Sequence, residues 1–377
     1  MRFVNLLIKP ASSLCNLRCR YCFYECISNH REEKSMGVMT EDTVRAMLEN
    51  AFRAADPGGT VSFMFQGGEP TVAGLPFFQR FAAEAEALCP PGVRCAYSIQ
   101  TNGTLLDEAW AAFLGERRFL VGLSVDGYKD LHNLYRVDVG GEGSWNRVVR
   151  ALRLLNKHHV MTNALCVVTA QCARHPDRVY GELKKLGFDY MQFIPCLDPL
   201  DRERGGMPFS LTPERYGQFL CRLFDLWYQD WREGRCCSVR LFDDYLHMVL
   251  GEQAGTCATC GRCGSYFVVE GDGSVYPCDF FVLDQWRLGK LGEDTLEEMA
   301  AGERLRAFFK WGEEKPPECG ACRWRRLCNG GCKNDWLSGP VPHNYFCSAL
   351  RQFFAHAESR LLYVAQTERA MGRNMPS

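Results

Sequence analysis

FVNLLIKPASSLCNLRCRYC, residues 3–22, decides how the rest of the chain is read. Its first half is an apolar run ended by Lys9 and Pro10, which reads as a strand. Its second half spaces Cys15, Cys19 and Cys22 as C-x3-C-x2-C. Three thiolates on a loop leaving a strand can hold three corners of an iron–sulfur cube. Ordinary cubes take four cysteines, so three leave one iron open to a small molecule. A zinc site is the competing reading of clustered cysteines, but no histidine follows the triplet before His30.

Outward from this loop, the chain alternates strand-like and helix-like stretches. TEDTVRAMLENAFRAA reads as a helix capped by Thr40, with Val44, Met47, Leu48 and Ala51 on one face. TVSFMFQGGEP, CAYSIQTNGT, FLVGLSVDG, TNALCVVT and DYMQFIPC read as further strands, with helices between them. Asp107 caps one of those helices, and Pro176 sits in the first turn of another. Six strands, each followed by a helical stretch or crossover, call for a parallel sheet apolar on both faces. Ligands of such sheets bind at the carboxyl ends of the strands. The cysteine loop, Gln66-Gly67-Gly68-Glu69, Thr101-Asn102-Gly103, Ser124-Val125-Asp126 and Cys196-Leu197-Asp198 all fall there.

From about residue 236 the alternation stops. YFVVEGDGSVYPC reads as a hairpin turning at Gly271-Asp272-Gly273, and CSALRQFFAHAESRLLYVAQ as a closing helix. Two domains are therefore expected, residues 1–235 and 236–377.

The chain has 377 residues, 46% of them hydrophobic, which is enough for a sizeable core. Its 44 basic and 45 acidic residues give a net charge of −1, so neither nucleic acid nor an anionic membrane is expected as a partner. No export signal and no run of about 18 apolar residues is read, which leads to the expectation of a cytoplasmic protein. In that compartment 21 cysteines point to metal rather than disulfides.

The later cysteines fall at Cys257, Cys260, Cys263 and Cys278, then Cys319, Cys322, Cys328, Cys332 and Cys347. Eight thiolates fully ligate two cubes, with either Cys257 or Cys260 completing the set; a pair of zinc ribbons is the alternative. Two glycines after a strand, Gly67 and Gly68, allow close backbone approach to a ligand, or form only a turn. Asp279 follows Cys278, where it either serves chemistry or bonds its own turn.

The triplet resembles the signature of the radical S-adenosylmethionine (SAM) enzymes, and the later cysteines resemble the SPASM domain that extends peptide-modifying members. Over nearly the whole length the chain is similar to the anaerobic sulfatase-maturating enzymes. The resembling stretches are LLIKPASSLCNLRCRYCFY, FQGGEPTVAGL, QTNGTLLDEAW, FLVGLSVDG, HNLYR, LCVVTA, CLDPL, VVEGDGSVYPCDFFVLDQWRLG and CRWRRLCNGGC.

The resemblance implies an α/β fold, a partial (β/α)6 barrel with a C-terminal SPASM domain and terminal helix. It implies oxidation of a Cys or Ser side chain in a sulfatase polypeptide to formylglycine. It implies three 4Fe–4S clusters and SAM as cofactors, with an electron donor such as a flavodoxin or ferredoxin. Cys15, Cys19 and Cys22 would hold the SAM cluster, and Tyr21, Gly68, Ser124, Arg136 and Leu197 would contact SAM. Cys257, Cys263, Cys278 and Cys332 would hold a first auxiliary cluster; Cys319, Cys322, Cys328 and Cys347 would hold a second. Asp279 would be the proton acceptor.

Tyr24, the aromatic residues around Phe280 and Phe281, and the loop Asp198 to Pro208 are candidates for a peptide groove. SPASM enzymes also form thioether or carbon–carbon crosslinks or epimerise residues, and Asp279 argues for oxidation over crosslinking. A zinc-bound scaffold without catalysis is the reading from another class.

Overall fold

The computed structural model describes residues 1–264, 266–311, 315–336 and 343–372. Among them are ten strands: β1 (Phe3–Ile8), β2 (Thr60–Phe65), β3 (Arg94–Thr101), β4 (Leu120–Ser124), β5 (Met161–Val168), β6 (Tyr190–Pro195), β7 (Ser238–Val239), β8 (Phe267–Val269), β9 (Ser274–Tyr276) and β10 (Gly289–Lys290). The first six are the six expected from the sequence. The chain is an α/β fold whose strands run mostly parallel.

Two compact units form, and they interleave along the chain. The first comprises Met1–Ser124, Asn133–Thr162 and Gly264–Trp311; the second comprises Val125–His132, Asn163–Cys263 and Gly312–Ser377. In the first, the strand order is β10-β9-β8-β1-β2-β3-β4. Its four leading strands alternate in parallel with helices, among them Glu41–Ala54, whose N-cap is Thr40, and Glu108–Glu116, whose N-cap is Asp107. Side chains of a strand alternate between faces. Leu6 and Ile8 thus enter the main core with Phe63, Phe65, Phe78 and Phe81, while Leu7 enters a second cluster with Tyr24, Ile27, Val268 and Tyr276. Edge-to-face pairs such as Phe63–Phe81 at 5.1 Å and Phe65–Phe78 at 4.9 Å lock the main core.

The hairpin turns where the sequence placed it, between β8 and β9. Its attachment was not foreseen: β8 runs parallel to β1, with Leu7 opposite Val268 and the Lys9 N–H donating to the Val269 carbonyl at 2.8 Å. A segment some 260 residues away in sequence therefore extends the first strand's edge, and Cys278 and Asp279 follow the hairpin within the same unit.

In the second unit β5, β6 and β7 lie in parallel order. The helix Pro213–Arg232 packs against the helix Cys347–Ala370 through Phe224 and Phe353, with Arg360 bonded to Asp225 at 2.8 Å. The regular pattern also runs past residue 236: Ser238–Val239 is a short strand, and Arg240–Val249 is a helix that the sequence reading left unassigned.

Candidate active site

The cysteine loop is pinned from several sides of the first unit. Arg18 N–H donates to the Val137 carbonyl at 2.7 Å, and Arg20 N–H to that of Tyr135 at 3.0 Å. From β2's end, Gly68 N–H donates to the Ser12 carbonyl at 2.8 Å, and Glu69 N–H to that of Leu14 at the same distance. A Cβ on Gly68 would stand 2.2 Å from the Leu14 oxygen, so only glycine permits this approach. Cys22 caps the helix Phe23–Asn29, its sulfur accepting from Glu25 N–H at 3.4 Å. Cys15 sulfur accepts from Leu17 N–H at 3.4 Å.

These thiols suit iron and sulfide. Burial pushes the Cys15 thiol up to about 11 and raises Cys22 as well. Desolvated thiolates are costly without a positive partner, and coordination to iron supplies one. Among the described residues no group of three His, Cys, Asp or Glu side chains is placed to hold a single metal ion.

Under the loop, Glu69 is fully enclosed. Its carboxylate accepts from Thr71 N–H at 3.1 Å, Thr71 Oγ1 at 2.6 Å, Thr101 Oγ1 at 2.6 Å and Asn102 N–H at 2.7 Å. Burial raises its pKa, and the four donors oppose that shift. Asn102 also donates to Asn16 at 2.9 Å. The second and third strand ends are thereby tied to the loop by hydrogen bonds alone.

Asp279 does not bond its own turn. Its Oδ1 pairs with Lys9 Nζ at 2.5 Å, and its Oδ2 accepts from Gln66 Nε2 at 2.9 Å. Lys9 has no exposed surface, and its ammonium lies 3.6 Å from the centre of the Tyr24 ring. The Tyr24 hydroxyl donates to Glu270, which pairs with Arg31 at 2.6 Å. The arrangement presents a fixed carboxylate at the ends of β1 and β2, in the unit that carries the cysteine triplet.

The expected SAM contacts are distributed as follows. Tyr21 is buried, with Arg136 5.4 Å above its ring and Tyr135 5.5 Å beside it. Ser124 ends β4, its hydroxyl accepting from Gln100 at 3.0 Å. Together with Gly68 these lie in the first unit, whereas Leu197 follows β6 in the second. Two groove candidates are corrected. Tyr24 is buried and committed to Glu270, and Phe281 is buried against Phe308 and Trp311. Phe280, half-buried beside the half-buried Phe23, keeps an accessible face.

The auxiliary cysteines divide. Cys319, Cys322, Cys328 and Cys347, together with Cys260, line one cavity of about 390 Å³ in the second unit. Burial raises Cys319 and Cys347, and pushes Cys328 up to about 11. Cys257, Cys263 and Cys332 belong to the same unit and Cys278 to the first. Cys260 donates to the Ala254 carbonyl at 3.0 Å, which commits its sulfur to the backbone.

The sequence reading missed Lys9, Gln66's side chain, Glu270 and Arg31 as site residues. The signal for Lys9 was present: a lone cation ending an apolar strand beside the cysteine loop.

Residues 10–171 match the Radical SAM superfamily, and residues 257–323 match an iron–sulfur cluster-binding domain. The chain is 45% identical to the cysteine-type anaerobic sulfatase-maturating enzyme of Clostridium perfringens, over 96% of this chain and 98% of the relative. It is 32% identical to the serine-type enzyme of Bacteroides thetaiotaomicron, over 93% and 88%. The solved structure of native anSMEcpe with bound AdoMet and Cp18Cys peptide is similar, with a TM-score of 0.92 and 43% identity over 97% of this chain and 99% of that one.

Proposed function

The chain belongs to the anaerobic sulfatase-maturating enzymes of the radical SAM superfamily, and on that basis we propose that it oxidises a cysteine side chain in a sulfatase polypeptide to formylglycine. Cysteine is chosen over serine because the cysteine-type relative is the more similar, 45% against 32%. The observation that carries the reading is the Asp279 carboxylate, buried yet held by Lys9 and Gln66 at the strand ends that carry the cysteine loop.

When bound, the cluster that Cys15, Cys19 and Cys22 would hold would, with SAM, supply radical chemistry able to take one hydrogen atom from the target Cβ. Asp279 takes the thiol proton, which needs hydrogen-bond reach in the complex. Lys9 and Gln66 fix both carboxylate oxygens, so the acceptor does not have to be oriented during the reaction. One electron leaves the substrate, for which an oxidised auxiliary cluster would be the acceptor, and water replaces sulfur: the thiol side chain and water end as an aldehyde and hydrogen sulfide. Tyr21, Gly68, Ser124, Arg136 and Leu197 position SAM.

Three 4Fe–4S clusters are proposed. Cys257, Cys263, Cys278 and Cys332 hold the second of them, the set that the family resemblance implies. Cys319, Cys322, Cys328 and Cys347 hold the third. Residues 1–235 then form the radical domain and residues 236–377 the auxiliary domain of a cytoplasmic enzyme served by a flavodoxin or ferredoxin.

The test is an anaerobic reaction of reconstituted protein, SAM and dithionite with a sulfatase-type peptide carrying Cys, or the same peptide carrying Ser. Mass spectrometry should find formylglycine from the Cys peptide together with 5′-deoxyadenosine. SAM cleavage with an unchanged Cys peptide would sink the substrate assignment.

A further inference from the structure

The chain as a whole is nearly neutral, at −1, but its charge is unevenly spread. The cavity that gathers Cys319, Cys322, Cys328 and Cys347 is rimmed by Arg262, Lys315, Arg325 and Arg351, and no carboxylate lines it among the described residues. Arg262, Arg325 and Arg351 are exposed, and so is Arg326, which lines the adjoining open pocket at Cys260 together with Arg262 and with Glu252, a carboxylate already paired with His247 at 2.8 Å. Lys315 is held 4.5 Å over the Trp336 ring. Arg323 is compensated by Glu358 at 3.2 Å, but Arg262, Arg325, Arg326 and Arg351 enter no salt bridge recorded among the described residues. Uncompensated arginines repel one another and cost stability unless something anionic meets them. Nothing in the proposed reaction on the first unit's rim uses them.

We propose that this arginine-rimmed mouth is the docking surface for a small acidic one-electron carrier protein of the flavodoxin or ferredoxin kind. The inference rests on the reading of the four cysteines as ligands of a redox cluster, and it adds which face the carrier meets. Two features favour this occupant. The charge is matched to an acidic protein, and opposite fields accelerate and orient encounter. The cavity opens to solvent beside the cysteines, so a docked carrier brings its own redox centre to them without threading a channel.

The experiment uses the full chain, reconstituted with iron and sulfide, and a purified acidic flavodoxin, under anaerobic conditions. Binding is measured by titration at low and high salt, for the parent and for the triple variant Arg262→Glu, Arg325→Glu, Arg351→Glu. The parent should lose affinity steeply with salt, and the triple variant should bind at least about tenfold more weakly with a flat salt response. A variant with glutamine at the same positions should fall between the two, which separates charge from shape. Reduction of the iron–sulfur absorbance by flavodoxin should slow in the triple variant, while reduction by dithionite stays at the parent rate. Equal binding by parent and triple variant, or binding indifferent to salt, overturns the proposal. The cluster reading is tested separately by iron content in the double variant Cys319→Ala, Cys347→Ala. Undiminished iron there overturns the cluster reading, whatever the docking result.

Discussion

The rim of the first unit and the cysteine group of the second are built on different principles. In the first, acidic side chains are held by other side chains and by backbone. Glu69 takes four hydrogen bonds, Asp279 is fixed by Lys9 and Gln66, and Glu270 is fixed by Tyr24 and Arg31. Glu69 and its partners Thr101 and Asn102 sit at the ends of strands of six and eight residues with a packed aromatic core behind them, and Glu270 and Asp279 follow the three-residue strands of a hairpin paired to β1. In the second, Cys257, Cys260, Cys319 and Cys328 sit on helices of four or five residues, Cys257–Cys260, Pro317–Ala321 and Arg325–Cys328, and only Cys347 stands on a long helix, Cys347–Ala370, at its first residue. Helices that short do not persist on their own, and thiols are weak hydrogen-bond partners. The first site is therefore preorganised by the fold, whereas the second is expected to draw much of its order from what binds it. Where ligand binding and folding are one event, the binding free energy is folding free energy.

This contrast can be sharpened or broken by experiment. The largest effect is expected from Cys19→Ala. Removing one of three ligands should abolish SAM cleavage, while far-ultraviolet circular dichroism and the melting of the first unit stay near the parent. Collapse of the whole fold in this variant would show that the first rim also depends on its metal. Asp279→Asn comes next. It should slow formylglycine formation by about 10²–10⁴-fold, the range of a general base, with 5′-deoxyadenosine still released. A variant that makes aldehyde at the parent rate would remove Asp279 from the chemistry. Lys9→Met should act more through stability. Leaving Asp279 buried without its cation costs about 3–5 kcal/mol, read as a lower urea midpoint.

Removal of iron probes the second region directly. Chelation should raise amide hydrogen exchange at residues 257–263 and 315–332 by about a hundredfold or more, while residues 60–65 and 94–101 keep their protection. Equal deprotection of both stretches would erase the distinction between the two regions.

How much of this was legible depends on how local the signal was. The six strands, the caps at Thr40 and Asp107 and the turn at Gly271–Gly273 each announce themselves within a dozen residues, through periodicity or turn chemistry. The Asp279 position came only from its place beside Cys278 and the family likeness, and its partners were invisible. Lys9 and Asp279 are 270 residues apart and meet because a three-residue strand, Phe267–Val269, pairs with β1. No periodicity resolves a strand that short, and nothing local says which edge it joins. Tyr24 misled for a related reason. An aromatic beside a ligand loop suits a groove wall equally well, and only its contact with Glu270 shows that it belongs to the interior. The rim charges of the second unit were legible as letters but not as a face, because Arg262 and Arg351 come from segments far apart in sequence.

The smallest effect tests whether the second unit carries fold-based order of its own, away from its cysteines. Asp243 lies in the helix Arg240–Val249, buried, with its carboxylate accepting from the Ser238 hydroxyl. Burial pushes it up to about 7, against the opposing pull of Ser238, Arg240 and His247, and Asp244 adds to the rise. In the unfolded chain an aspartate titrates near about 3.9. Between those values the folded protein holds a proton that the unfolded chain releases. The resulting stabilisation is complete below about pH 4 and is lost as pH rises through about 7. Asparagine keeps an acceptor for Ser238 and cannot ionise. Asp243→Asn should therefore be more stable than the parent at about pH 8.5, by on the order of 1–2 kcal/mol, with the two converging toward about pH 5.5. Urea unfolding of the iron-loaded proteins at both pH values measures this. A parent and a variant that lose the same stability over that interval would mean that Asp243 is ionised in the fold at no extra cost. The helix would then be less enclosed than its packing implies, and the second unit would owe still more of its order to the metal.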